Sequence, residues 1–226
     1  MASQVRGNFI EGFNYYVPSM QAGSDLGQLR KTRISFGAPP DVLATGILSA
    51  QSIAAAVDTT TFNVLYTNAK MGPFGRNLTV VASGAATSNV TVIGRDYLGQ
   101  PMRESFTLNG TTPVVGLKAF KYIDRVTAGL TAGTTINLGW GTKFGLPWKT
   151  RAVYREYVDQ VVAAAGTLAA PVLTDPQTTT TGDPRGTYVP TTTPDAVKVL
   201  EIDAEIDAGV NAAGRGGLHG IQQFNV

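Results

Sequence analysis

The sequence contains no cysteine, so neither a disulfide nor a thiolate-bound metal can hold this fold together. A chain without thiols is indifferent to redox compartment, which suits a protein assembled in the cytoplasm and later released outside. Histidine is nearly missing too: His219 is the single one, in a Gly-rich stretch near the C-terminus. One histidine without cysteine does not supply the usual zinc ligand sets, and its ordinary reading is a surface or interface residue. Charged residues make up only 15% of the chain, against about a quarter in an average protein. A net formal charge of +2 leaves no basic stripe of the kind nucleic-acid binders carry. No run reaches the ~18 apolar residues of a membrane span. Residues 1–20 lack the apolar stretch of a secretory signal. No nucleic acid, no membrane and no cofactor are therefore expected.

Catalytic motifs are missing as well. No G-x-S-x-G, P-loop or dinucleotide fingerprint occurs, and Gly139-Trp140-Gly141 lacks the third glycine and the following helix. The expectation is a protein that is not an enzyme. Three N-x-S/T sequons, at Asn77, Asn89 and Asn109, read as chance in a Thr-rich chain.

What the chain does have is β patterning. Short runs rich in Val, Ile, Thr and Phe recur between Gly, Pro and Asn-Gly signals. Strands are predicted at residues 33–36, 62–65, 78–82, 89–93, 102–108, 113–117, 134–138 and 196–206, with a further β run through 118–127. Residues 83–86 are read as joining two of them. Asp96-Tyr97-Leu98-Gly99 predicts a turn, in which Asp accepts from backbone N–H groups and Gly takes positive φ. Asn109-Gly110 is the strongest hairpin signal, pairing 102–108 with 113–117. A Gly/Trp-rich run, 139–148, follows the strand at 134–138. Residues 49–57 and 151–165 fit helix or strand, and their β-branched, Thr and aromatic content favours strand. Residues 171–194 read as a long Thr/Pro-rich loop.

The resulting fold class is all-β, a β-sandwich or jelly-roll-like domain with long Thr/Gly/Pro-rich loops. Its expected divisions are an extended N-terminal arm over 1–31, one β-rich domain over 32–211, and a Gly-rich tail over 212–226. The first segment mixes aromatics with Gly, Asn and Gln and shows no period. It is read either as an arm lying on a neighbouring subunit, through Arg6, Phe9, Phe13, Tyr15 and Tyr16, or as a segment folded over its own sheet. Glu201, Asp203 and Glu205 alternate along one strand face, opposite Leu200, Ile202, Ala204 and Ile206. Such a row wants a cation or basic neighbours, and a solvated face or one met by Arg and Lys is the ordinary reading.

Val92-Ile93-Gly94-Arg95-Asp96-Tyr97-Leu98-Gly99 has the form V-x-G-x-D-x-x-G. It precedes Glu104 through Leu108-Asn109-Gly110 (E-x-x-x-L-N-G) and Lys118-Ala119-Phe120 (K-x-F). Together with Gly182-Asp183-Pro184-Arg185-Gly186 and the ending Gly216-Gly217-Leu218-His219-Gly220-Ile221-Gln222-Gln223-Phe224, this resembles tailed-bacteriophage virion proteins of the capsid decoration or cement type. The resemblance covers about half the chain. It implies a homo-oligomer, dimer or trimer, seated on the capsid exterior and bridging neighbouring copies of the major capsid protein. Other virion parts (a tail tube, a head–tail adaptor or a head fibre base) share the same β-rich style. A carbohydrate-binding module, with Trp140 and Trp148 as its candidate aromatics, is the remaining expectation.

Overall fold

A computed structural model describes residues 29–54 and 57–207. The arm residues Arg6, Phe9, Phe13, Tyr15 and Tyr16, and His219 in the tail, lie outside the described residues. Among those described, the chain folds into fourteen β-strands and one short 3-10 turn, Asn68–Met71. The first five strands are β1 (Leu29–Gly37), β2 (Leu43–Gln51), β3 (Val57–Thr59), β4 (Arg76–Ala82) and β5 (Asn89–Arg95). Next come β6 (Pro101–Thr107), β7 (Val114–Phe120), β8 (Tyr122–Ala128), β9 (Ile136–Gly145) and β10 (Thr150–Val158). The last are β11 (Val161–Ala163), β12 (Thr167–Ala169), β13 (Thr187–Val189) and β14 (Leu200–Asp207). The fold is all-β, with antiparallel sheets packed in a sandwich-like arrangement, as the patterning predicts.

Three sheets form. The first runs β1-β14-β10-β11, the second β12-β13-β9-β4-β7 with β2 also on β9, and the third β3-β8-β5-β6. Period-two burial sorts the side chains. Leu78, Val80 and Ala82 of β4 meet Val90 and Val92 of β5 in a large core that also holds Met102, Phe106, Val126, Leu138 and Trp140. A second core, under the first sheet, gathers Ile34, Phe36, Phe144, Tyr188, Leu200, Ile202 and Ala204. Strand β9 serves both, because its first half carries Ile136, Leu138 and Trp140 and its far end carries Phe144. The Gly/Trp-rich run therefore continues the strand instead of interrupting it. Gly139 is needed there, since a Cβ would run into the backbone of Leu43 and Ala44 on β2.

Several sequence expectations change. Residues 62–65 form a turn, not a strand. Asn63 accepts from the Leu65 N–H at 3.0 Å, an Asx turn that competes with extended pairing. The link 83–86 joins no hairpin, because β4 and β5 lie in different sheets. The Asn109-Gly110 turn does form, with Thr112 N–H donating to the Asn109 carbonyl at 3.0 Å. Its flanking strands, however, diverge: β6 ends the third sheet and β7 ends the second. Both connections are arches across the sandwich, tied together where the Gly110 N–H reaches the Ala86 carbonyl at 2.9 Å. Strand β1 starts at Leu29, before the expected boundary at 32. Residues 49–57 divide between the end of β2 and the start of β3. The loop 171–194 contains β13.

Residues 151–165 are extended, as their β-branched content predicts. Strands β10 and β11 form a hairpin with Val158 opposite Val161. Asp159 and Gln160 between them take φ of 49° and 68°, the two-residue turn whose twist matches paired strands.

Candidate functional site

Charged side chains gather on the outer face of the first sheet and at the seam between β6 and β7.

On the outer face, β14 supplies the middle row. Its register sets Glu205 beside Lys31, Asp203 beside Arg33 and Glu201 beside Ser35. On the other flank, Asp203 faces Arg155 and Glu201 faces Tyr157. Two register shifts in β10, at 150–152 and 153–155, are bulges that leave Arg151 and Tyr154 exposed beside this face. The acidic row is thus answered within the chain. Arg33 donates to Asp203 at 3.0 Å and lies 3.8 Å from Glu201. Tyr157 donates to Asp203 at 2.7 Å, and Tyr154 donates to Glu205. Lys31 sits 4.8 Å above the Tyr154 ring, and Arg33 lies 4.0 Å from the centre of the Tyr157 ring. Asp203 is held below the usual carboxylate range: burial raises it, but hydrogen bonds from Arg33 and Tyr157 outweigh that. Among the described residues no three acidic or histidine side chains are placed to hold a metal. A shallow groove of about 620 Å³ remains, lined by Lys31, Arg33, Tyr154, Arg155 and Asp203.

The seam escaped the sequence reading. Strands β6 and β7 turn edges toward each other without forming a ladder, and charged side chains fill the gap. The Glu104 carboxylate accepts from the Leu117 N–H, and Asp183 accepts from the Ala119 N–H at 3.1 Å. These two acceptors do for the edge of β7 what a neighbouring strand would do. Lys118, fully buried, donates to the carbonyls of Arg103 and Pro176 at 2.7 Å each and to that of Thr178. Arg185 pairs with Asp96 and lies 4.8 Å from the centre of the Tyr97 ring. Burial pushes Glu104 up to about 7 and Lys118 down to about 8, against the mutual attraction of the pair. Burial likewise raises Asp183.

A third buried cation, Arg76, donates to the Gly141 carbonyl at 2.9 Å and the Pro40 carbonyl at 2.6 Å. Asn77 is buried beside it and accepts from the Lys143 N–H at 2.8 Å, so that sequon is closed. Trp140 is core, its indole N–H donating to the Asp41 carbonyl at 2.7 Å, and Trp148 packs on the second core. These tryptophans therefore do not make an exposed aromatic groove.

One signal for the seam was available. Asp96, Glu104, Lys118, Asp183 and Arg185 all stand in the motifs of the resemblance, and the fold brings them together at the seam, whereas Arg95 of the same motifs points out to Asp124. In a chain so poor in charge, a lysine inside Val114-Val115-Gly116-Leu117-Lys118-Ala119-Phe120 marks a buried position.

The described fold thus defines an all-β protein of antiparallel sheets. Comparison with known protein families, with curated proteins and with solved structures finds no match.

Proposed function

We propose that the protein is a structural component of a virion, binding the outer capsid lattice and bridging neighbouring major capsid subunits as a homo-oligomer. One observation carries the reading: Leu29 lies opposite Asp207 in the first sheet, so residues 1–28 and 208–226 join the fold at one corner. A compact body with both terminal segments attached at one point suits contact with neighbours on a lattice. Two features support it. Low charge reduces the desolvation that a protein contact requires. Val161 and Val162 on edge strand β11, and Val115 and Leu117 on β7, present exposed apolar side chains. Many modest contacts of this sort gain strength from valency.

In this reading Arg6, Phe9, Phe13, Tyr15 and Tyr16 contact a different subunit. Deleting residues 1–20 should weaken attachment to the shell and leave the β body folded. Full coating of capsids by the truncated protein would sink the arm assignment. Cryo-EM of purified particles tests the whole reading. Copy number near that of the capsid protein supports decoration, whereas a six-fold ring places the chain in a tail or connector.

The groove on the first sheet favours a second reading, a glycan-binding module. Tyr154, half exposed, offers a stacking face between cations. Binding of the protein to a host glycan array, lost on Tyr154→Ala, would support that alternative.

A further inference from the structure

Residues 172–183 leave and rejoin the body at one point, because the Val172 N–H donates to the Asp183 carbonyl at 2.9 Å. A segment of this length with tied ends is an Ω-loop, a compact surface unit. Its outer lobe runs along β6. There the N–H groups of Arg103 and Ser105 donate to the Pro176 and Thr179 carbonyls, both at 3.0 Å. Lys118 reaches across from β7 to the Pro176 and Thr178 carbonyls.

Beside this lobe the hydrogen bonding is incomplete. Among the described residues, the buried side-chain atoms without a partner are Gln100 Oε1 and Nε2, Arg103 Nε, Glu104 Oε2 and Arg185 Nε. Gln100, Arg103 and Glu104 belong to β6 and the turn before it, and Arg185 follows the base of the loop. Buried polar groups are ordinarily satisfied, so water reaching this cluster would supply the partners that the protein does not. The body beside it is held by apolar cores and antiparallel ladders.

We propose that residues 172–183 are a strap that opens from β6 as a unit, with Lys118 as its latch and the Asp96–Arg185 pair as the anchor of its base. Opening admits water to Glu104, Gln100 and Arg103. It also frees the N–H groups of Arg103 and Ser105, which stand two residues apart on the edge of β6, the spacing an added strand pairs with. The charged groups facing the latch are Glu104 from β6 and Asp183 and Asp175 from the loop, while Lys143 of β9 faces Glu104. The strap rests on this geometry alone and is independent of the virion reading.

Amide hydrogen exchange on the full chain tests it. Arg103 and Ser105 should exchange at least ~10-fold faster than Val80 and Leu138 at the centre of the second sheet. Lys118→Met removes the ammonium and should speed Arg103 and Ser105 by about a further 10-fold, leaving Val80 and Leu138 unchanged. If that variant loses protection everywhere, thermolysin on the wild type decides instead, because Leu173 in the strap is 48% exposed. A nick before Leu173 that leaves the remaining body resistant supports the strap. Exchange of Arg103 and Ser105 in step with Val80 and Leu138 in the wild type, or the absence of a nick at Leu173, overturns it.

Discussion

Asp96 and Arg185, 89 residues apart, form an ion pair buried on both sides, with side chains 1% and 2% exposed. The same carboxylate accepts from the N–H groups of Leu98 and Gln100 at 2.8 Å each, so it closes the turn before β6 while holding the base of the loop after β12. One side chain therefore joins a local turn to a distant segment.

Asp96→Asn keeps the oxygen that accepts in the turn and removes the charge. Arg185 is then left buried and unpaired, which should cost about 3–5 kcal/mol in denaturant unfolding. Adding Arg185→Met should recover part of the loss, because the two residues act as a pair. Additive costs in the double mutant would show that the ion pair is not coupled.

Gly46 packs against the face of Trp140, and a Cβ there would enter the indole ring. Gly46→Ala should destabilise by about 1–3 kcal/mol and shift the Trp140 fluorescence, since overpacking forces a well-packed side chain from its place. Unchanged stability and emission would mean that β2 can retreat from β9 freely.

The seam sets a pH dependence. Glu104 has its folded pKa raised to about 7, so the folded state holds this proton more tightly than the unfolded state. Its contribution is full below the unfolded value near 4.5 and is lost as pH rises toward 7. Lys118 is lowered to about 8, so folding is penalised while the unfolded lysine is charged, and the penalty fades from pH 8 toward 10.5. The seam should therefore be least stable between about pH 7 and 8. Unfolding free energies for wild type and Glu104→Gln, compared from pH 5 to 8, isolate the first effect. The difference should grow by about 3 kcal/mol across that range, in favour of the variant at the upper end. A flat difference would show that Glu104 is not perturbed.

The turn between β10 and β11 should be improvable. Gln160 sits at φ 68°, a left-handed conformation that suits glycine better. Gln160→Gly should stabilise the protein by about 1 kcal/mol, read as a rise in melting temperature. Asp159 must stay, because its carboxylate accepts from the Val199 N–H at 2.8 Å.

On the outer face of the first sheet, Tyr154→Ala and Arg155→Ala should change stability by no more than about 0.5 kcal/mol each, as exposed positions do. If this face contacts a partner, the same changes should weaken sedimentation with purified capsids. Undiminished sedimentation would move the contact elsewhere on the molecule.

The sequence by itself determined which residues extend and which way they point. Leu200, Ile202, Ala204 and Ile206 are buried, while Glu201, Asp203 and Glu205 remain partly exposed. The Asp96 and Asn109 turns also form where their residues place them. Period-two patterning and turn chemistry are local, so a single chain segment suffices to specify them. Only the tertiary structure decided which edges meet. A tight turn at Asn109-Gly110 reads the same whether its strands pair or part into two sheets, because pairing depends on distant edges. The burial of Glu104, Lys118, Asp183 and Arg185 follows from that parting: two edges left without a ladder drew charged side chains inside to satisfy them.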